Sequence, residues 1–168
     1  MKPLVSIIMG STSDLPIMEK AATFFDEMQI PFEMQALSAH RTPHAVETYA
    51  SQAESRGIKV IIAAAGMAAA LPGVIAANTT IPVIGVPIKG MLDGLDALLS
   101  IVQMPPGVPV ATVGINGALN AAILSTEILA VSDVEIATRL KDYKKGLGTK
   151  IEKANADLSA IKYQFKTN

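Results

Sequence analysis

The sequence predicts an α/β fold: a three-layer α/β/α, Rossmann-like or flavodoxin-like domain with about five parallel strands and a C-terminal helical extension. Two observations lead there. Short apolar runs alternate along the chain with longer segments of helical spacing, the pattern of strand–helix–strand units with right-handed crossovers. Most of the short runs lack polar alternation, so their strands are expected to be buried on both faces. The 168 residues suit one domain, 1–168, with 133–168 as its charged extension.

The elements follow in order. Residues 4–9 form a first strand that stops at Gly10. In 14–28, Ile17, Ala21, Phe24, Phe25 and Met28 share one helical face, and Asp14 suits an N-cap or first-turn acid. Residues 31–37 alternate Phe32, Met34 and Ala36 as a second strand. Pro43 opens a helix that Gly57 ends, following the positional preferences of those two residues. A third, apolar strand spans 59–65, and a short helix spans 71–78. A strand over 82–86, a helix over 92–102, a strand over 108–113 and a helix over 117–131 complete the sheet. Two further helices are expected over 134–145 and 151–165.

Composition removes whole classes of function. Half the residues are hydrophobic and 17% are charged, which excludes a disordered chain. The net charge of −1 lacks the basic excess of a nucleic-acid footprint. With no Cys, disulfides, Cys-held zinc, iron–sulfur clusters and thiol nucleophiles are impossible, and a reducing cytoplasm is the expected setting. Only His40 and His44 are present, too few for a multi-His metal cage. The uncharged stretch 60–77 has the length of a short membrane span, but Gly66, Pro72 and Gly73 interrupt it. The apolar run at 4–9 is shorter than a signal-peptide core.

Charge is unevenly placed. Residues 60–132 carry only Lys89, Asp93, Asp96 and Glu127, whereas 133–168 carry 13 of the 29 charges. So long a low-charge section in a small domain predicts a subunit interface.

Three loops follow strands, where doubly wound sheets bind ligands. Gly10-Ser11-Thr12-Ser13-Asp14 leads into a helix N-terminus and suits a phosphate, or a ribose hydroxyl at Asp14; a polar turn with a cap accounts for it equally well. Ser38-Ala39-His40-Arg41-Thr42-Pro43 offers a bidentate donor for phosphate and a proton carrier for neutral pH. His44 falls in the first helical turn, an exposed position. Residues 64–73 are small and allow a flat ligand to approach the backbone. The dinucleotide, P-loop, nucleophile-elbow and zincin motifs are absent.

These loops carry a resemblance. Together with Leu71-Pro72-Gly73-Val74, Pro82-Val83-Ile84-Gly85-Val86-Pro87 and Leu99-Ser100-Ile101-Val102-Gln103-Met104-Pro105, taken in order, they closely resemble class I N5-carboxyaminoimidazole ribonucleotide mutases of purine biosynthesis, over about residues 4–145. The resemblance implies a flavodoxin-like fold, an octamer with active sites between subunits, and a ribonucleotide substrate rearranged without metal or organic cofactor. It implies that Ser11, Ser13, Ser38 and Arg41 hold the phosphate end, Asp14 the ribose, and that His40 is the acid/base. The Ala65–Gly66 backbone would lie against the imidazole, with Ala39, Ala69 and Leu71 completing the substrate site. Two departures stand out. Ala70 replaces a His usual in the family, and the segment around 113–120 is two residues shorter than the family's usual stretch. Direct carboxylation of aminoimidazole ribonucleotide, a non-catalytic nucleotide-phosphate module, and an FMN-binding flavodoxin are the alternatives.

Overall fold

The computed structural model describes residues 2–168. Strands β1 (Val5–Met9), β2 (Phe32–Ala36), β3 (Val60–Ala65), β4 (Val83–Pro87) and β5 (Ala111–Thr112) form one parallel sheet in the order β2-β1-β3-β4-β5. The helices are α1 (Leu15–Glu27), α2 (Pro43–Gln52), α3 (Leu71–Ala77), α4 (Leu95–Val102), α5 (Ala118–Ala130) and α6 (Val134–Ala160).

Strand periodicity decides which layer each helix joins. Val5, Ile7 and Met9 face one way and pack with α1, α5 and the start of α6; Ile8 faces the other way and packs with α2, α3 and α4. Every residue of β1, β3 and β4 is buried, as their unbroken apolar runs predict. Glycine matters most at Gly85, where an added Cβ would come within 2.3 Å of Ile101 Cγ2; α4 therefore lies directly on β4. The strand order reverses between β1 and β3, so a crevice opens above the carboxyl ends of those strands.

Several boundaries differ from expectation. β5 shrinks from 108–113 to Ala111–Thr112: Val108 closes a turn onto Pro105, and Pro109 has no N–H to give a ladder. α4 begins at Leu95 rather than at 92, because Leu92, Asp93 and Gly94 adopt left-handed backbone. The two expected C-terminal helices are one, Val134–Ala160. Gly146 and Gly148 weaken that helix without stopping it, and Asp133 caps it through bonds from Glu135 N and Ile136 N, both at 3.0 Å. Residues 162–165 lie beyond its end.

A polar cluster sits under α2 near the amino ends of β1 and β2. The Tyr49 hydroxyl donates to Glu33 Oε1 (2.9 Å) and meets the Ser6 hydroxyl, which itself donates to Glu33 Oε1 (3.0 Å). Arg56 pairs with Glu33 at 3.0 Å and stacks on the Tyr49 ring, 4.6 Å from its centroid. Burial, helped by the Glu33 charge, pushes the Tyr49 phenol up to about 12.

Candidate active site

The loop after β2 is a self-closed turn. Thr42 Oγ1 accepts from Ser38 N (3.0 Å) and donates to Ser38 O (3.1 Å), while Thr42 N also donates to Ser38 O (2.8 Å). The Ser38 hydroxyl accepts from Arg41 N and Arg41 Nε, each at 3.2 Å. Arg41 Nη2 then reaches across to the Gly10 carbonyl at 2.8 Å. One arginine thus joins the loops after β1 and β2. Its protein partners are neutral oxygens, and among the described residues no carboxylate lies within salt-bridge distance. Of the five guanidinium N–H donors, two are used here. The rest, with an uncompensated charge, suit a phosphate.

The loop after β1 leads into α1 through a short 3-10 turn, Thr12–Asp14. Ser11 Oγ accepts from Ser13 N at 3.2 Å, and Ser11 O accepts from Asp14 N at 3.1 Å. Asp14 stands at the N-cap position of α1, yet its side chain caps nothing. It accepts instead from the Ser13 hydroxyl at 3.3 Å. Burial raises the Asp14 carboxyl above the ordinary aspartate range, against the opposing hydrogen bonds of Ser13 and Ser11. A carboxyl freed from capping and partly desolvated suits a ligand hydroxyl.

The loop after β3 supplies a wall of small groups. Ile88 N donates to Ala65 O (2.9 Å) and Ala69 N to Gly66 O (3.1 Å). Met67 and Ala69 carry φ values of 53° and 23°, and backbone strain of this kind concentrates at ligand sites. α3 then starts at Leu71 with Pro72 in its first turn.

The three loops enclose a cleft of about 540 Å³, in the range of small-molecule sites. Ser11, Ser13, Asp14, Ser38, Ala39, His40, Arg41, Ala65, Gly66, Ala69 and Leu71 all line it. Gly10, Met67 and Ala70 line it too. Gly10 takes part through its carbonyl, a backbone role that residue type does not announce; nothing in the sequence marks Met67. The His40 ring has no hydrogen bond to the protein among the described residues, so both its nitrogens are open to a ligand. His44 is exposed in the first turn of α2 and does not line the cleft. A larger hollow of about 740 Å³ lies beside Phe25, Pro31 and Phe32. It is at the opposite edge of the sheet, away from the strand ends where such folds bind ligands. Among the described residues, no group of three or more His, Asp or Glu is placed to hold a metal ion, and no helix is long and apolar enough to cross a membrane.

Comparison with known proteins gives a consistent picture. Residues 4–150 match the family model described as AIR carboxylase. An N5-carboxyaminoimidazole ribonucleotide mutase of Pyrococcus abyssi is 60% identical over 146 residues, covering 86% of this chain and 84% of that protein. A phosphoribosylaminoimidazole carboxylase of Candida glabrata is 51% identical across 97% of this chain, which spans only 29% of that longer protein. The crystal structure of Treponema denticola PurE is 32% identical and superposes with a TM-score of 0.84, covering 93% of this chain and 98% of that one.

Proposed function

The chain belongs to the AIR carboxylase family, and from that premise we propose that it catalyses the conversion of N5-carboxyaminoimidazole ribonucleotide to 4-carboxy-5-aminoimidazole ribonucleotide, in purine biosynthesis. The observation that carries this reading is the cleft itself. Among the described residues, an arginine with no counter-ion stands beside an unengaged histidine at one side, and the small residues of the β3 loop form the other.

In this reading Arg41, Ser38, Ser11 and Ser13 grip the phosphate, and Asp14 takes a ribose hydroxyl. The imidazole lies against Ala65–Gly66, with Ala39, Ala69 and Leu71 around it. His40 gives a proton to the carbamate nitrogen, the N–C bond breaks, and CO2 is released inside the cleft. C4 of the aminoimidazole, an enamine-like carbon, attacks that CO2. The C4 proton then returns to His40, so one group first gives and then takes. Remote binding of the phosphate orients the ring without touching the reacting atoms. Exclusion of water keeps CO2 available for recapture. No metal or organic cofactor has a step in this scheme.

The working form is a homo-oligomer, an octamer in the fullest version of this reading, in the cytoplasm. The low-charge section supports association: Met91, Leu92, Leu95, Leu99 and Val102 within it are exposed. Residues 1–168 act as one catalytic unit, with 133–168 as its extension.

The test is turnover of N5-carboxyaminoimidazole ribonucleotide without ATP or metal, beside a His40→Asn variant. The 4-carboxy product should form, and its rate should fall by at least about 100-fold in the variant. Near-normal turnover by the variant refutes His40 as proton carrier. A second reading, direct carboxylation of aminoimidazole ribonucleotide, is favoured by Ala70 in place of the usual His and by the likeness to the fungal carboxylase. Product formed only from aminoimidazole ribonucleotide and bicarbonate selects it.

A further inference from the structure

Met67 lines the cleft but has no part in the scheme above. Ala69 N donates to Gly66 O at 3.1 Å and closes a tight turn with Met67 and Ala68 at its tip. The φ of Met67 is 53°, a left-handed conformation that turns ordinarily give to glycine, asparagine or aspartate. The base of the turn is fixed. Ile88 N donates to Ala65 O at 2.9 Å, and a Cβ added to Gly66 would meet Ile88 O at 3.5 Å. A strained backbone therefore carries a long side chain at a place where glycine would sit at lower cost.

The neighbours of that side chain give it a use. An exposed methionine is ordinary by itself, but this one shares its cleft with His40 and Arg41. It is 64% exposed, whereas Leu71, the other large apolar residue of the cleft, is 2% exposed. Ala68, Ala69 and Ala70 end in single methyl groups. Within this loop only Met67 is long enough to reach across the mouth, and three side-chain torsions let it follow the outline of a bound ring. Its thioether is apolar and polarisable, is at most a weak hydrogen-bond acceptor, and forms no carbamate. Such a group can cover carbon dioxide without reacting with it.

We propose that Met67 is the retention residue of the cleft: its side chain folds over the bound imidazole and keeps the freed CO2 beside C4 until the new bond forms. This role rests on the reaction proposed above and adds a residue to it. No further reactant is needed. His40 protonates the carbamate nitrogen, the N–C bond breaks to give CO2 and the aminoimidazole, the C4–C bond forms, and the C4 proton returns to His40. Without the cover, CO2 leaves to the solvent as bicarbonate, and aminoimidazole ribonucleotide is released in place of the 4-carboxy product. The phosphate grip comes from the loops after β1 and β2, so loss of Met67 should act on the fate of the intermediate rather than on affinity.

The test follows an isotope. N5-carboxyaminoimidazole ribonucleotide with a heavy carboxyl carbon is turned over once by excess full-length protein in unlabelled bicarbonate buffer, and the products are resolved by mass spectrometry. The unaltered protein should keep the label in its 4-carboxy product. In Met67→Gly the ratio of released aminoimidazole ribonucleotide to labelled product should rise by at least about tenfold, in line with the surface one methionine covers. Met67→Leu, which restores an apolar side chain of similar size, should recover most of the retention. In Met67→Gly, KM should stay within about threefold and the urea midpoint should not fall, since glycine relieves the left-handed backbone. Its native mass by light scattering should be unchanged. Full retention in Met67→Gly overturns the role. Leakage accompanied by a lower midpoint or a changed mass also overturns it, because Met67 then supports the fold or the assembly. Product from the unaltered protein without the label overturns the role and leaves the reaction standing; no product at all overturns both.

Discussion

The same two strands carry two polar clusters at opposite ends, each built around an arginine, and the two are wired differently. At the amino ends, Arg56 pairs with Glu33, and Glu33 also takes hydrogen bonds from Ser6 and Tyr49. At the carboxyl ends, Arg41 bonds only to a serine hydroxyl and a carbonyl, and its charge goes unmatched among the described residues. The Arg56 charge is met by a carboxylate inside the fold, although Arg56 Nη2 is buried without a hydrogen-bond partner, whereas the Arg41 charge is not met among the described residues. A polar group matched inside the fold holds the fold, whereas one left with unmet donors in a cleft is available for binding. Residue type alone does not separate the two arginines; their partners do.

Substitutions that exchange the consequences would sharpen this contrast. The largest effect is expected from Arg41→Met: KM for the ribonucleotide should rise roughly 10- to 100-fold, the worth of charge-assisted bonds to a phosphate. The midpoint of urea unfolding should barely move. A variant that binds substrate normally but unfolds early would place Arg41 with Arg56 as a structural group.

Glu33→Gln should behave in the opposite way. It leaves Arg56 partly buried beside a neutral amide and should cost about 2 kcal/mol of unfolding free energy. Steady-state KM should stay within twofold, on an order-of-magnitude view of distant sites acting independently. A large KM change would show that the amino-end cluster reaches the cleft through α2.

Tyr49→Phe is milder at neutral pH, costing about 1 kcal/mol for the lost hydrogen bonds. Its signature lies in alkali. The folded phenol holds its proton up to about 12 while the unfolded one releases it near 10. The unfolded state therefore binds fewer protons through that window, and stability falls as pH rises from 10 to 12. The phenylalanine variant should lose that part of the alkaline slope, which denaturation midpoints across the window would measure.

The smallest stability effect belongs to Asp14→Asn. Its carboxyl titrates above the ordinary aspartate range because burial disfavours the charge. In the window between the unfolded and folded values the native state binds the extra proton, so stability declines as pH rises through it. The asparagine should therefore be slightly more stable at neutral pH, a gain that disappears in acid, while KM rises. A loss of stability at neutral pH would mean that Asp14 supports the fold.

Much of the fold was legible because burial on both faces leaves a plain mark. The apolar runs of β1, β3 and β4 are found where they are expected, and so are the helices that follow them. Errors gathered where tertiary geometry overrides local preference. The left-handed turn at 92–94 shortens α4, and one capped helix runs straight through 146–150, the gap between the two expected helices. The three loops could be nominated because each follows a strand and is rich in small or polar residues. That Arg41 ties two of them together through Gly10 O was not readable, since a carbonyl acceptor has no residue type.

What the sequence determined by itself is the parallel sheet, its helical layers and the set of loops at its carboxyl edge, because periodicity and burial are written one residue at a time. It also carries the motifs that place the chain in its family. Tertiary structure decided the remainder: that Arg41 is uncompensated among the described residues while the Arg56 charge is met by Glu33, that Asp14 leaves its cap for the cleft, and that Ile136 and Leu140 of α6 are buried while Ile151 and Leu158 stand exposed. Each of these depends on distances between residues far apart in the chain, which local pattern does not encode until the sheet fixes them.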